Sequence, residues 1–226
     1  MLILSLVGAL RLLDDGAALL GLVVGFVVGI VLRAAAEALA ADRAGDRQAR
    51  LARRLTVEPR RHLDPFGVVA FLITGVGWPA AVPLDQRRLG RGRFLSILAL
   101  GPAVHLLLGL VAFAAARLIV GGGEIAGPDF AAEALLVAGL VNVGCAVLAL
   151  VPLPPLEGSR ALWALAPRSA SWERLRYWSE EQGYGVAVLV ILILPIFGSV
   201  GLIMRLVYEV GRPLVDLMLR TVGMSS

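Results

Sequence analysis

Between Ala17 and Leu32 the chain runs for sixteen residues without a charge. It then stays helix-favouring through Arg33-Ala34-Ala35-Ala36-Glu37-Ala38-Leu39-Ala40, with no proline to interrupt it. Strong helix formers in an unbroken apolar run predict one long helix that leaves the membrane near Asp42. A bilayer crossing needs about 20 such residues, and further apolar runs recur along the chain. With 58% hydrophobic and only 17% charged residues, and a mean hydropathy of +0.84, that apolar surface cannot be hidden in one soluble core. The expected fold class is an all-α polytopic membrane protein, with the lipid bilayer as its first partner and room for four to six membrane-inserted elements.

The loops set the expected orientation. Asp42 to Arg61 carries seven arginines, at 43, 47, 50, 53, 54, 60 and 61, and so short a basic loop belongs on the cytoplasmic side. Phe66 to Pro83 is apolar again, but Gly67, Gly75, Gly77, Pro79 and Pro83 break it, and Arg87, Arg88, Arg91 and Arg93 follow. With both flanks basic, it is expected to be re-entrant, its irregular backbone satisfied by protein or a water-filled cavity. Phe94 to Val120 is the next span. The loop Gly121 to Phe130 carries Glu124 and Asp129 without a basic residue, as expected outside, and Ala131 to Val151 returns. Pro152 to Gln182 mixes Arg160, Arg168, Arg174 and Arg176 with Trp163, Trp172, Tyr177 and Trp178, the composition of an interfacial anchor. Gly183 to Leu206 is long enough to span, yet Pro195 and Gly198 interrupt it and Arg205, Arg212 and Arg220 lie at or beyond its end, leaving that topology open. Met1 to Leu10 lacks a basic leader region and a small-residue cleavage pattern, and is read as retained.

All 21 basic residues are arginine. This fits a GC-rich genome better than phosphate recognition, so no nucleic-acid partner is expected. Cys145 is the sole cysteine, which excludes an intrachain disulfide and a cysteine-built zinc site.

Three stretches carry a resemblance. The exit of the first helix, Arg33 to Asp46, ends in Gly45-Asp46, where the matching pattern reads H-E-x-x-H, small and apolar residues, then Gly-Asp. Arg54-Leu55-Thr56-Val57-Glu58-Pro59-Arg60-Arg61-His62-Leu63-Asp64-Pro65-Phe66-Gly67 is similar to G-R-L-T-L-N-P-x-K-H-I-D-P-x-G, and Gly77-Trp78-Pro79-Ala80-Ala81-Val82-Pro83 to G-W-A-K-P-V-P. Pro152-Leu153-Pro154-Pro155-Leu156-Glu157-Gly158-Ser159-Arg160 is close to N-L-I-P-I-P-P-L-D-G-S-R. In this order the motifs resemble the site-2 protease family of intramembrane zinc metalloproteases. The resemblance implies a protease-like helical core at about 17–160, with a re-entrant, partly β-like loop at about 54–83. An interfacial segment at about 160–182 and a C-terminal membrane helix at about 183–208 complete a single membrane domain, 1–226. Multi-pass residence in a bacterial cytoplasmic membrane is expected.

That family binds zinc through two histidines and a distant aspartate, with a glutamate as base. Counting back from Gly45-Asp46 puts Arg33 and Glu37 at the histidine positions, Ala34 at the base and Glu157 at the aspartate. Arginine presents a permanent cation where a zinc ligand should offer neutral imidazole or thiolate, and alanine has no proton acceptor. The resemblance therefore implies a pseudoprotease without zinc or another cofactor. Its old substrate groove, about His105, Asn142, Ala149, Pro154 and Pro155, would bind a transmembrane protein or peptide as scaffold, regulator or accessory subunit. The alternative is an active intramembrane metalloprotease with a rearranged site, for which Glu37, Glu157 and His105 would suit iron or manganese; a transporter or lipid-binding role is a further reading.

Two readings of the charged positions stand. Arg33 and Glu37 can be an i, i+4 pair snorkelling at the helix end. Alternatively, Arg33, Glu37 and Glu157 converge inside the bundle as an ion cluster in which guanidinium takes the metal's place. His105, mid-span, is a neutral histidine bonded to a neighbouring helix or a functional group. His62 belongs to a tight loop fixed through Asp64 and Pro65, with a metal-ligand role as the lesser reading.

Overall fold

Asp15 opens the first span: its carboxylate accepts from the backbone N–H groups of Ala17 and Ala18, at 3.1 and 3.0 Å. The computed structural model describes residues 15–121, 129–194 and 201–224. Met1 to Leu10, Glu124, Pro195 and Gly198 lie outside them. Helix α1, Gly16–Arg43, is 28 residues long. At 1.5 Å per residue it reaches about 42 Å, longer than a hydrocarbon core of about 30 Å, so one end projects beyond it.

Four-residue glycine spacing lets α1 approach α5, Phe130–Ala149, closely. A Cβ added at Gly21 would strike the Ala134 backbone, one at Gly25 would lie 2.7 Å from Ala138 Cα, and one at Gly29 would meet Asn142. Between membrane helices, where lipid is as apolar as leucine, such small-residue faces supply the packing. Helix α4, Gln86–Val120, packs against both. It starts earlier than the expected Phe94, with Asp85 as its cap, but Gly90 adopts φ 73° and ψ 160° and separates the first turn from the span. Helices α1, α4 and α5 are long and apolar enough to cross a membrane, and the chain is an all-α polytopic integral membrane protein.

The re-entrant region divides in two. Asp64 caps α3, Pro65–Thr74, with Pro65 in its first turn, and Gly75 ends it at φ 82°. Ten residues reach about 15 Å, too short to cross. Extended chain follows, and its pairing with the segment before α3 is one antiparallel bridge, Leu63 to Pro79; no strand forms among the described residues. Gly67 and Gly77 make this fold-back possible, since a Cβ on either would overlap the other arm's backbone.

Four-residue α2, Gln48–Leu51, follows α1. Helices α6, Glu157–Leu165, and α7, Ala170–Arg176, with a wider turn at Tyr177–Glu181, occupy the expected interfacial segment. Over the expected C-terminal membrane helix the chain forms α8, Tyr184–Ile193, and then α9, Leu202–Thr221. Helix α8 is apolar but short. In α9, Ile203, Met204, Val207 and Gly211 are buried while Arg205, Glu209 and Arg212 are exposed, the stripe of an amphipathic helix.

Candidate functional site

Arg33 lies ten residues before the end of α1 and is 1% exposed. Its guanidinium faces two carboxylates. Glu37, one turn on, is 3.3 Å from Nη2, and Glu157, from the first turn of α6, contacts the same nitrogen. Both glutamates are buried. The structure thus brings Arg33, Glu37 and Glu157 together, and Arg33 does not snorkel to a surface.

Local sequence explains the convergence. Gly101 of α4 lies against the cluster: a Cβ there would come 3.1 Å from Arg33 Nη2. Glu157 sits at a helix N-terminus, which favours a carboxylate. Gly158 lets α6 begin directly against the carbonyls of Leu150 and Val151. Ala34, expected at the base position from the spacing to Gly45-Asp46, is fully buried in a small apolar cluster with Ala38, Ala49 and Val82.

A second cation stands nearby, one that sequence reasoning left out of the cluster. Arg160, one turn beyond Glu157, donates to the Val82 carbonyl at 2.9 Å and lies 5.7 Å from the Phe94 ring centre. Burial lowers its pKa, and the charges of Glu37 and Glu157 oppose that shift. Two guanidiniums and two carboxylates balance in formal charge. The signal was present in the sequence as the i, i+3 spacing of Glu157 and Arg160.

His105 is buried one turn after Gly101, and its Nδ1 is 2.8 Å from Asn142 Oδ1. Asn142 Nδ2 donates to the carbonyls of Gly25 and Ala138, at 3.1 and 2.9 Å, which turns its oxygen toward the histidine. Nδ1 is then the donor, and in the neutral ring Nε2 carries the lone pair; it is buried without a partner among the described residues. The remaining groove positions lie elsewhere. Ala149 is buried at the end of α5, Pro154 packs beneath Gly185 at the start of α8, and Pro154 and Pro155 line a cavity that His105, Asn142 and Ala149 do not. Among the described residues no three of histidine, cysteine, aspartate and glutamate form a metal-ligating group.

The other motif residues hold the scaffold. Asp46 is fully buried and accepts from Gln48 N at 3.0 Å and Asp85 N at 2.6 Å, pinning the exit of α1 to the start of α4. Asp64 accepts from Gly67 N and from the Trp78 indole, at 2.8 and 3.1 Å. His62 is buried, its Nε2 lies 2.7 Å from the Thr56 carbonyl, and its own carbonyl accepts from Ala80 N. This is the tight loop expected of His62, Asp64 and Pro65.

The ordered motifs and this helical core are those of an integral membrane protein that resembles the site-2 proteases. Over 156 residues, 67% of this chain and 69% of the relative, it is 28% identical to a Bacillus subtilis (strain 168) protein named "Putative zinc metalloprotease YwhC". No family model matches the chain, and no solved structure matches it.

Proposed function

We propose that this chain is a pseudoprotease that binds a transmembrane protein or peptide without cutting it, as scaffold, regulator or accessory subunit. The observation that carries the reading is the contact of the Arg33 guanidinium with Glu157 and Glu37. The carboxylates that remain at the family's ligand positions are engaged by a permanent cation. Zinc does not fit this donor set: both histidines are replaced, and a divalent ion placed between the glutamates would meet Arg33 at close range. Hydrolysis also needs a group to accept the proton of the attacking water, and Ala34 cannot. The name of the Bacillus relative supports the protease ancestry of the fold.

Conserved fold does not carry chemistry, but it can keep a surface for helices. Leu20, Val24, Val28, Leu107 and Val111 are exposed apolar residues on the spans α1 and α4.

The test is reconstitution of the full chain with fluorescent transmembrane peptides, following binding and cleavage in the same sample. Peptides bound and recovered intact support the reading. Cleavage abolished by Glu37→Gln or Glu157→Gln would establish the alternative, an active protease with a rearranged site.

A further inference from the structure

We propose that the arginine-rich end of the bundle holds the phosphate headgroup of one anionic phospholipid, in the cleft between the start of α4 and helices α6 and α7. Two adjoining cavities, of about 1010 and 770 Å³, share Arg87, Trp163 and Arg176 in their walls. Sites that hold small molecules commonly occupy about 300–1,000 Å³. The larger cavity also presents Arg91 and Arg168, so four guanidiniums face it against the single carboxylate of Glu173. Counting Glu180, which pairs with Arg176, an excess of two positive charges remains at this cavity and selects an anion.

The arginines divide by role. Arg91 is held by a 2.9 Å bond to the Leu165 carbonyl, and Arg176 by Glu180 at 2.8 Å. Arg87 and Arg168 are exposed and form no ion pair with a described residue. Their planar N–H forks suit bidentate contact with phosphate oxygens. Trp163 and Trp172 meet edge to face, with ring centres 6.0 Å apart, and form an aromatic wall; the Trp163 indole N–H has no partner among the described residues.

A lipid is favoured over a soluble phosphate by what surrounds the cleft. Gly90 lines it, where the first turn of α4 gives way to the span, so the cleft lies at the level where a headgroup sits. Leu165 lines the cleft and is about half exposed, as are Leu175 and Trp178 on the next helix and the turn after it, apolar surface suited to acyl chains. Tryptophan gathers at that depth, and basic clefts between membrane helices bind anionic headgroups.

Native mass spectrometry of the full chain in detergent tests this, with phosphatidylglycerol and phosphatidylcholine of matched chains as probes. Phosphatidylglycerol is expected to be retained preferentially. Paired Arg87→Gln and Arg168→Gln substitution should weaken its retention about tenfold or more, since each arginine near an anionic lipid contributes substantially. The melting temperature should be unchanged, as should binding by a charge-matched control with Arg47→Gln and Arg60→Gln. Equal retention of phosphatidylcholine, equal loss in the control, or no loss in the paired variant would overturn the proposal. Displacement of the lipid by millimolar inorganic phosphate would overturn it in favour of a soluble anion site.

Discussion

The guanidinium of Arg33 sits against the carboxylate of Glu157, joining the end of the first span to the start of α6 across 124 residues of sequence. Glu37 holds the same nitrogen from one turn away. Removing one member of a buried ion cluster leaves uncompensated charge, which commonly costs about 3–5 kcal/mol, whereas replacing the whole cluster by apolar residues is often neutral. Arg33→Leu should therefore destabilise the protein strongly, and the exposed Arg174→Leu should not. Replacing Arg33, Glu37, Glu157 and Arg160 together by leucine should recover much of the loss. Thermal unfolding in detergent measures all three, and equal tolerance of Arg33→Leu and Arg174→Leu would remove the cluster from the account.

Gly101 gives the cluster its room. Its missing Cβ would crowd both Glu37 and Arg33, and overpacking a filled interior costs about 1–3 kcal/mol. Gly101→Ala should lower the melting temperature, whereas Gly92→Ala, in helical backbone with open space around it, should hold or raise it.

The fold-back loop depends on Asp64, which caps α3 and accepts from Trp78. Losing an N-cap costs about 0.5–2 kcal/mol. Asp64→Ala should destabilise by roughly that amount and add a change in the emission of Trp78, which is 2% exposed. An unchanged tryptophan spectrum would detach Trp78 from this role.

His62 makes the loop sensitive to acid. Burial depresses its pKa, the nearby Arg54 charge adds to the shift, and the bond to the Thr56 carbonyl opposes it. With the folded value below the ordinary one of about 6.5, the neutral ring contributes stability that is fully present above that pH. It is lost as pH falls from there through the folded value. Melting temperature followed from pH 7.5 to 5 should fall, and His62→Gln should flatten the profile while lowering stability at pH 7.5.

Much of this was legible in the sequence because membranes constrain chains severely. The uncharged run from Ala17 and the arginines that follow it define α1 to within a few residues, and alternation of apolar runs with basic and non-basic loops gives the other spans. Counting from Gly45-Asp46 brings out Arg33 and Glu37, and Leu-Glu-Gly-Ser brings out Glu157, because helix register is fixed by chain spacing. Arg160 was harder to place: its partners, the Val82 carbonyl and Phe94, come from distant segments. The groove was drawn as one surface, whereas His105 and Asn142 pair in the core and Pro154 and Pro155 face a separate cavity. Motif adjacency carries no information about which side of a helix a residue takes.

The central claim, that a guanidinium holds the place of a metal, is tested most directly by zinc content. The full chain, purified after growth and dialysis in zinc, should contain far less than one equivalent, and Glu37→Gln or Glu157→Gln should not change that figure. One equivalent of zinc per chain, lost in either variant, would contradict the account.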